Sequence, residues 1–216
     1  FHSVNRNKES LALDLKDPAD VDRAMQLAGT CDVMIENFLP GAMTRMGLGY
    51  DAVRATNPDV IYCSISGFGS GEGAVLPGYD LLVQAMGGLM SITGPDADHP
   101  SKVGVALVDV LTGLHAAVGI LAALHHRDAT GEGQYLEVSL MRTILSSLVN
   151  QAAGYVLAGQ VPTSMGNAHP SIAPYEVYQA ADRPLILAVG NDSQFASLAR
   201  VLGDPDLAEA PDFASN

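Results

Sequence analysis

Apolar and polar positions run through this chain in two periods. Short β-rich runs recur at "SLALDL" (10–15), "DVMIENF" (32–38) and "DVIYCSISGFG" (59–69). Between them lie stretches of helical period. "PADVDRAMQLAG" (18–29) opens with Pro18 and places Val21, Ala24, Met25 and Leu27 on one face. "PGAMTRMGLGYDAVRATNP" (40–58) reads as an interrupted helical segment. Strand, helix, strand, helix, strand predicts an α/β fold with a parallel sheet. Ligands of such sheets gather at the carboxyl ends of the strands, here "ENFLPG" and "SGFGSGEG".

From "PGYDLLVQAMGGLMSITG" (77–94) onward the pattern turns helical. "VGVALVDV" (103–110) leads into the helix "LTGLHAAVGILAALHHR", and "DATGEG" turns into the strand "QYLEVSL" and a helix through Leu157. "GNAHPSIAPYEVY" (166–178) is a Gly/Pro-rich loop entering a hairpin with "PLILAVGN", before a last helix, "SQFASLARVLG". Val103–Leu124 is long enough to span a membrane, yet it holds Asp109, His115 and three glycines. An Asp near mid-span costs ~2.5–3.5 kcal/mol on insertion scales. A buried central helix is therefore expected, and no membrane.

The formal net charge of −13 argues against a nucleic-acid surface, which needs clustered Lys and Arg. The two cysteines, Cys31 and Cys63, have no metal-ligand spacing and read as reduced thiols. No histidine set reads as a metal site. The chain starts at Phe1 and stops at "PDFASN", so a piece of a longer polypeptide is expected, inactive or poorly soluble on its own.

Gly69, Gly71 and Ala74 show a G-x-G-x-x-A spacing, but "VLPGYD" intervenes before any helix, which favours a loop beside a site over a dinucleotide fingerprint. "CSISG" lacks the first glycine of a nucleophile elbow. Asp109 is the one carboxylate in an apolar run, where a buried charge costs several kcal/mol without compensation. Taken alone, it reads as a helix N-cap or as a nucleophile kept dry.

"VNRNKESLALDLKDP", "DVMIENFLPGAMTRMGLGYDAV", "IYCSISGFG", "PGYDLLVQAMGGLMSITG", "VGVALVDVLTG" and "GNAHPSIAPY" together resemble the family III coenzyme A transferases, the group of formyl-CoA transferase, carnitine CoA-transferase and the α-methylacyl-CoA racemases. The resemblance implies a Rossmann-like large domain (1–157), the start of a smaller α+β domain (158–216), and an interlocked homodimer in the cytoplasm. It implies coenzyme A and a small carboxylic acid as substrates, with no tightly bound cofactor. Asp109 would be the nucleophile. Asp80 would stand where formyl-CoA transferase has an active-site glutamate. Contacts to CoA would come from Leu13, Asp14, Leu15 and Lys16, from Asn37, Phe38 and Leu39, and from Arg45, Met46 and Tyr79.

The family divides at two of these places. Racemases pair their aspartate with a histidine at the position of Tyr79, and a phenol is a poorer proton shuttle near neutral pH. Formyl-CoA transferase has consecutive glycines where this chain has "GNAHPSIAPY", which is more similar to relatives using succinate and glutarate. Gly166, Asn167 and His169 would then face the substrate, His169 meeting a distal carboxylate. A CoA transferase is thus the leading expectation, ahead of an acyl-CoA racemase and of a non-catalytic CoA- or dinucleotide-binding module.

Overall fold

A computed structural model describes residues 1–213. In chain order the elements are α1 (Pro18–Ala28), β1 (Val33–Glu36), α2 (Ala42–Arg45), α3 (Tyr50–Thr56), β2 (Ile61–Ser66), α4 (Asp80–Met86), α5 (Leu107–Thr130), β3 (Gln134–Ser139), α6 (Leu140–Ser147), α7 (Val149–Ala158), β4 (Tyr175–Gln179), β5 (Pro184–Ala188) and α8 (Asp192–Leu202). They form two compact units. The first holds residues 1–87 and 104–152, the second 88–103 and the chain from Ala153 on. The change-over thus falls inside α7, and the segment Gly88–Val103 joins the second unit.

The first unit is built on a parallel sheet in the order β1-β2-β3. Ile61, Tyr62 and Cys63 on the central strand are buried, as a two-sided parallel strand requires. Burial pushes the Cys63 thiol up, as for a structural cysteine. Tyr62 of the central strand packs with Ala28, Val53 and Val60 in a core cluster. Asn57 closes it by donating to the carbonyls of Ala28 (2.9 Å) and Cys31 (2.8 Å), so its buried amide is satisfied. Helix α1 starts as read, with Pro18 at its first position and the Asp17 carboxylate accepting from the Ala19 amide.

Two expectations differ. "SLALDL" is irregular, not a strand. Asp14 bends the chain instead: its carboxylate accepts from the Lys16 amide (3.0 Å), and its own amide donates to Asp20 (2.9 Å). Such local side-chain bonds compete with a strand ladder. The long helix α5 is half-buried rather than buried. Val108, Thr112, Ala116 and Ala123 face β2, β3, α4 and α6, while Val110, Leu114, Val118 and Leu121 are exposed. By length and composition α5 alone among the described helices would suffice to cross a membrane.

In the second unit β4 and β5 pair antiparallel from Tyr175↔Ala188 to Gln179↔Pro184, the hairpin the sequence predicts. Asn191 caps α8 by accepting from the Gln194 amide (3.0 Å). Ser164 donates to the Gly94 carbonyl, tying the segment before the "GNAHP" loop to the 88–103 insertion.

Candidate active site

Helix α5 links β2 to β3, two parallel strands, so it returns antiparallel to them and its first turn lies at their carboxyl ends. That turn has no side-chain cap of its own, because Ala106 occupies the N-cap position. Asp80, the first residue of α4, supplies one from 28 residues upstream. Its Oδ1 accepts from the amides of Val108 (2.8 Å) and Asp109 (3.2 Å), and its Oδ2 accepts from Gln84 Nε2 (2.6 Å). Two of the orphan amides of α5 are thereby satisfied by a charged acceptor.

Asp109 projects from this capped turn with its backbone held and its carboxylate exposed. The dry surroundings expected from its apolar neighbours are not there. Val105 and Val110 near it in sequence are themselves exposed: Val105 precedes the helix, and Val110, the next residue, does not share a face with Asp109. Partial desolvation, and after it the Asp80 charge, still raise the Asp109 carboxyl above its usual value of 3.8.

Asp109 opens onto a cavity of about 700 Å³ at the carboxyl end of the sheet. Asn37, Phe38 and Leu39 enter it from the end of β1, and Gly69 from the end of β2. Tyr79 lines it as well. Glu36 fixes the first of these loops. One of its carboxylate oxygens accepts from the Phe38 amide (2.8 Å) and the other from the Ser64 hydroxyl on β2. The glycine loop has a different constraint: Gly67 and Gly78 cross so closely that a Cβ on either would collide with the other's Cα. No long helix opens on Gly69–Ala74, only the short 3-10 turn Glu72–Val75, which leaves the loop reading of that spacing standing.

The structure therefore gathers Asn37, Phe38, Leu39, Tyr79 and Asp109 around one space, with Asp80 bonded behind the last. Leu13, Asp14, Leu15, Lys16, Arg45 and Met46 do not line it. Lys16 and Arg45 are exposed and Met46 is half-buried. Gly166, Asn167 and His169 belong to the second unit. There His169 Nδ1 accepts from the Ser171 amide (3.1 Å) and the ring lies edge-on to Tyr175. With Nδ1 accepting, Nε2 is the ring nitrogen left to donate. Among the described residues no group of three or more His, Cys, Asp or Glu is placed to hold a metal ion.

Sequence reasoning missed Glu36, although it is the first letter of the quoted "ENFLP" motif. It also missed the Gly67–Gly78 crossing and Gly113, which lines the cavity one turn beyond Asp109. Adjacency to a recognised motif is the only signal that would have found them.

Known proteins resemble this chain over its full extent. It is 45% identical over 217 residues to the succinate–glutarate CoA-transferase of Agrobacterium fabrum, matching 100% of this chain and 54% of that protein. It is 41% identical to the acetyl-CoA:oxalate CoA-transferase of Acetobacter aceti, with 100% and 56% covered. A CaiB/BaiF family protein of Brucella suis, solved as a crystal structure, superposes with a TM-score of 0.80 at 42% identity, over 97% of this chain and 56% of that one. The chain thus spans about half the length of the curated relatives it matches. The description of CoA-transferase family III matches residues 1–216, and the chain belongs to that family.

Proposed function

We propose that the full-length protein moves coenzyme A from an acyl-CoA to a free carboxylic acid through an aspartyl-CoA thioester on Asp109. The observation that carries this is the open carboxylate of Asp109 facing Asn37, Phe38 and Leu39 across one cavity, in a family III chain. An Asp109 oxygen attacks the thioester carbonyl, and collapse of the tetrahedral intermediate expels CoA thiolate and leaves a mixed anhydride. The thiolate attacks the aspartyl carbonyl, releasing the donor acid as its carboxylate. The acceptor carboxylate then attacks the same carbonyl, expels the thiolate and forms a second anhydride. Attack of the thiolate on the acceptor's carbonyl yields the new acyl-CoA and restores Asp109.

A carboxylate is a weak nucleophile, so alignment must supply much of the rate; orientation can contribute ~7–11 kcal/mol. Asp80 serves that end. Both its oxygens are engaged, so it acts as a positioning residue for Asp109 rather than a reacting group. The raised carboxyl of Asp109 also fits a better nucleophile, since basicity and nucleophilicity rise together. Leu13–Lys16, Arg45 and Met46 are assigned to the outer part of CoA, away from the reacting end. The similarity to the Agrobacterium enzyme supports succinate and glutarate as acid partners, and Gly166, Asn167 and His169 of the second unit are kept as the residues that would recognise the acid. The relative acting on oxalate, similar at 41%, widens this to short dicarboxylates. The same reading carries an interlocked homodimer in the cytoplasm. The exposed apolar row Val110, Leu114, Val118 and Leu121 supports the dimer as surface for a second copy.

The test is covalent trapping. Full-length protein incubated with succinyl-CoA and treated with hydroxylamine or borohydride is expected to carry its modification on Asp109, located by peptide mass spectrometry. An untouched Asp109 across a panel of acyl-CoAs, with exchange of the substrate's α-hydrogen into solvent, would establish racemase chemistry instead.

A further inference from the structure

Helix α5 contains two interior glycines with different surroundings, Gly113 and Gly119. A Cβ on Gly119 would lie 3.7 Å from Leu136 Cδ1 on β3, an ordinary packing contact. A Cβ on Gly113 would meet nothing within 4 Å. Neither residue has the positive φ that demands glycine. Glycine inside a helix is destabilising relative to alanine, because it exposes backbone and gives up more chain entropy on folding. Backbone geometry and packing within this chain therefore supply no reason for Gly113.

Its place supplies one. Residue 113 stands four positions after Asp109, on the same helix face, and both line the cavity. Thr112 between them is buried and bonds its own hydroxyl to the Val108 carbonyl (2.7 Å), so it sends no polar group into that space. One turn beyond the carboxylate, the cavity lining carries no side chain.

We propose that Gly113 is the substrate-accommodating position of this site. Its missing side chain is the room in which the reacting acyl thioester lies against the Asp109 carboxylate. This rests on the transfer reading above. A carboxylate oxygen must approach the thioester carbon to about 3–3.5 Å, and four residues of helix advance only ~6 Å. A methyl group at 113 enters the volume that the carbonyl and its two substituents need, and a leucine fills it.

The experiment compares Gly113→Ala and Gly113→Leu with the parent in the full-length protein. Thermal unfolding, affinity for free CoA and initial rates with succinyl-CoA and glutarate are measured. Gly113→Ala is expected to unfold at the same or a higher temperature and to bind free CoA within about twofold of the parent. Its kcat/KM falls by on the order of 10²-fold, as for a misplaced reacting pair. Gly113→Leu stays folded and shows no transfer. A full rate in Gly113→Ala would show that the space is unused. A lowered unfolding temperature in that variant would show that protein fills it, and an equal loss of free-CoA affinity would show that CoA rather than the thioester does. Any of these overturns the assignment while leaving the transfer reading intact. If the parent transfers CoA from no donor, the transfer reading fails and this inference falls with it.

Discussion

The two ends of α5 solve the same problem in opposite ways. At its last turn Arg127 donates to the Asp32 carboxylate (2.9 Å), tying the helix to the start of β1 beside a favourable C-terminal dipole. Opposite charges meet there and each is answered. At its first turn two carboxylates, Asp80 and Asp109, stand close enough that one raises the pKa of the other. Asp80 is satisfied by backbone amides and Gln84, whereas Asp109 is left open to a cavity. One end is arranged for stability. The other sets two like charges side by side and leaves one open to a cavity, an arrangement common at functional sites.

The largest effect should come from Asp109. Asp109→Asn is expected to cut transfer by on the order of 10³-fold or more, measured as initial rate with free-CoA binding retained. Stability should move the other way. The folded-state pKa of Asp109 lies above 3.8, so the folded protein holds that proton more tightly than the unfolded chain does. The group's contribution to stability is complete below pH 3.8 and is lost as pH rises through the raised value. Near neutral pH the asparagine variant should thus be at least as stable as the parent in a denaturant titration. A clear loss there would make Asp109 a structural part of the turn.

Asp80 comes next, and two substitutions separate its roles. Asp80→Ala removes the acceptor from two amides, which should cost about 1 kcal/mol of stability. By loosening the turn it should also lower kcat between about 10- and 10²-fold, with KM for the acyl-CoA little changed. Asp80→Asn keeps an acceptor oxygen and removes only the charge. The Asp109 carboxyl should then fall toward 3.8, carrying the acid limb of the kcat/KM–pH profile to lower pH. The other ionisable groups facing the cavity, Glu36 and Tyr79, are unchanged in this variant. An unmoved acid limb would refute the coupling.

These predictions also mark what the sequence could and could not show. The apolar patterns placed β1, β2, β3, α1, α5 and the hairpin, because burial leaves either a periodic face or, for a strand covered on both sides, a continuous apolar run. "SLALDL" has the same alternation and forms no strand, since Asp14 and Asp20 bond the chain locally. The role proposed for Asp109 rests on several motifs taken together, as its place in the chain alone left a helix cap and a nucleophile both open. The cap is in fact Asp80, and no local pattern links residues 28 apart in sequence. Gly113 was invisible for a simpler reason: a glycine's meaning lies in the empty volume beside it.

The smallest effect should come from the satisfied end of the helix. Arg127→Met keeps the apolar stem that packs there and removes the ion pair with Asp32. Asp32 is 80% exposed, so solvent screens the pair and the loss should be ~0.2–1 kcal/mol, shrinking as salt is added. Transfer rate and its pH dependence should be unchanged, because Arg127 sits five helical turns from Asp109 by the usual pitch, on the order of 27 Å away. Equal losses of kcat in Arg127→Met and Asp80→Ala would erase the contrast, showing that the whole helix, and not its first turn, sets the nucleophile.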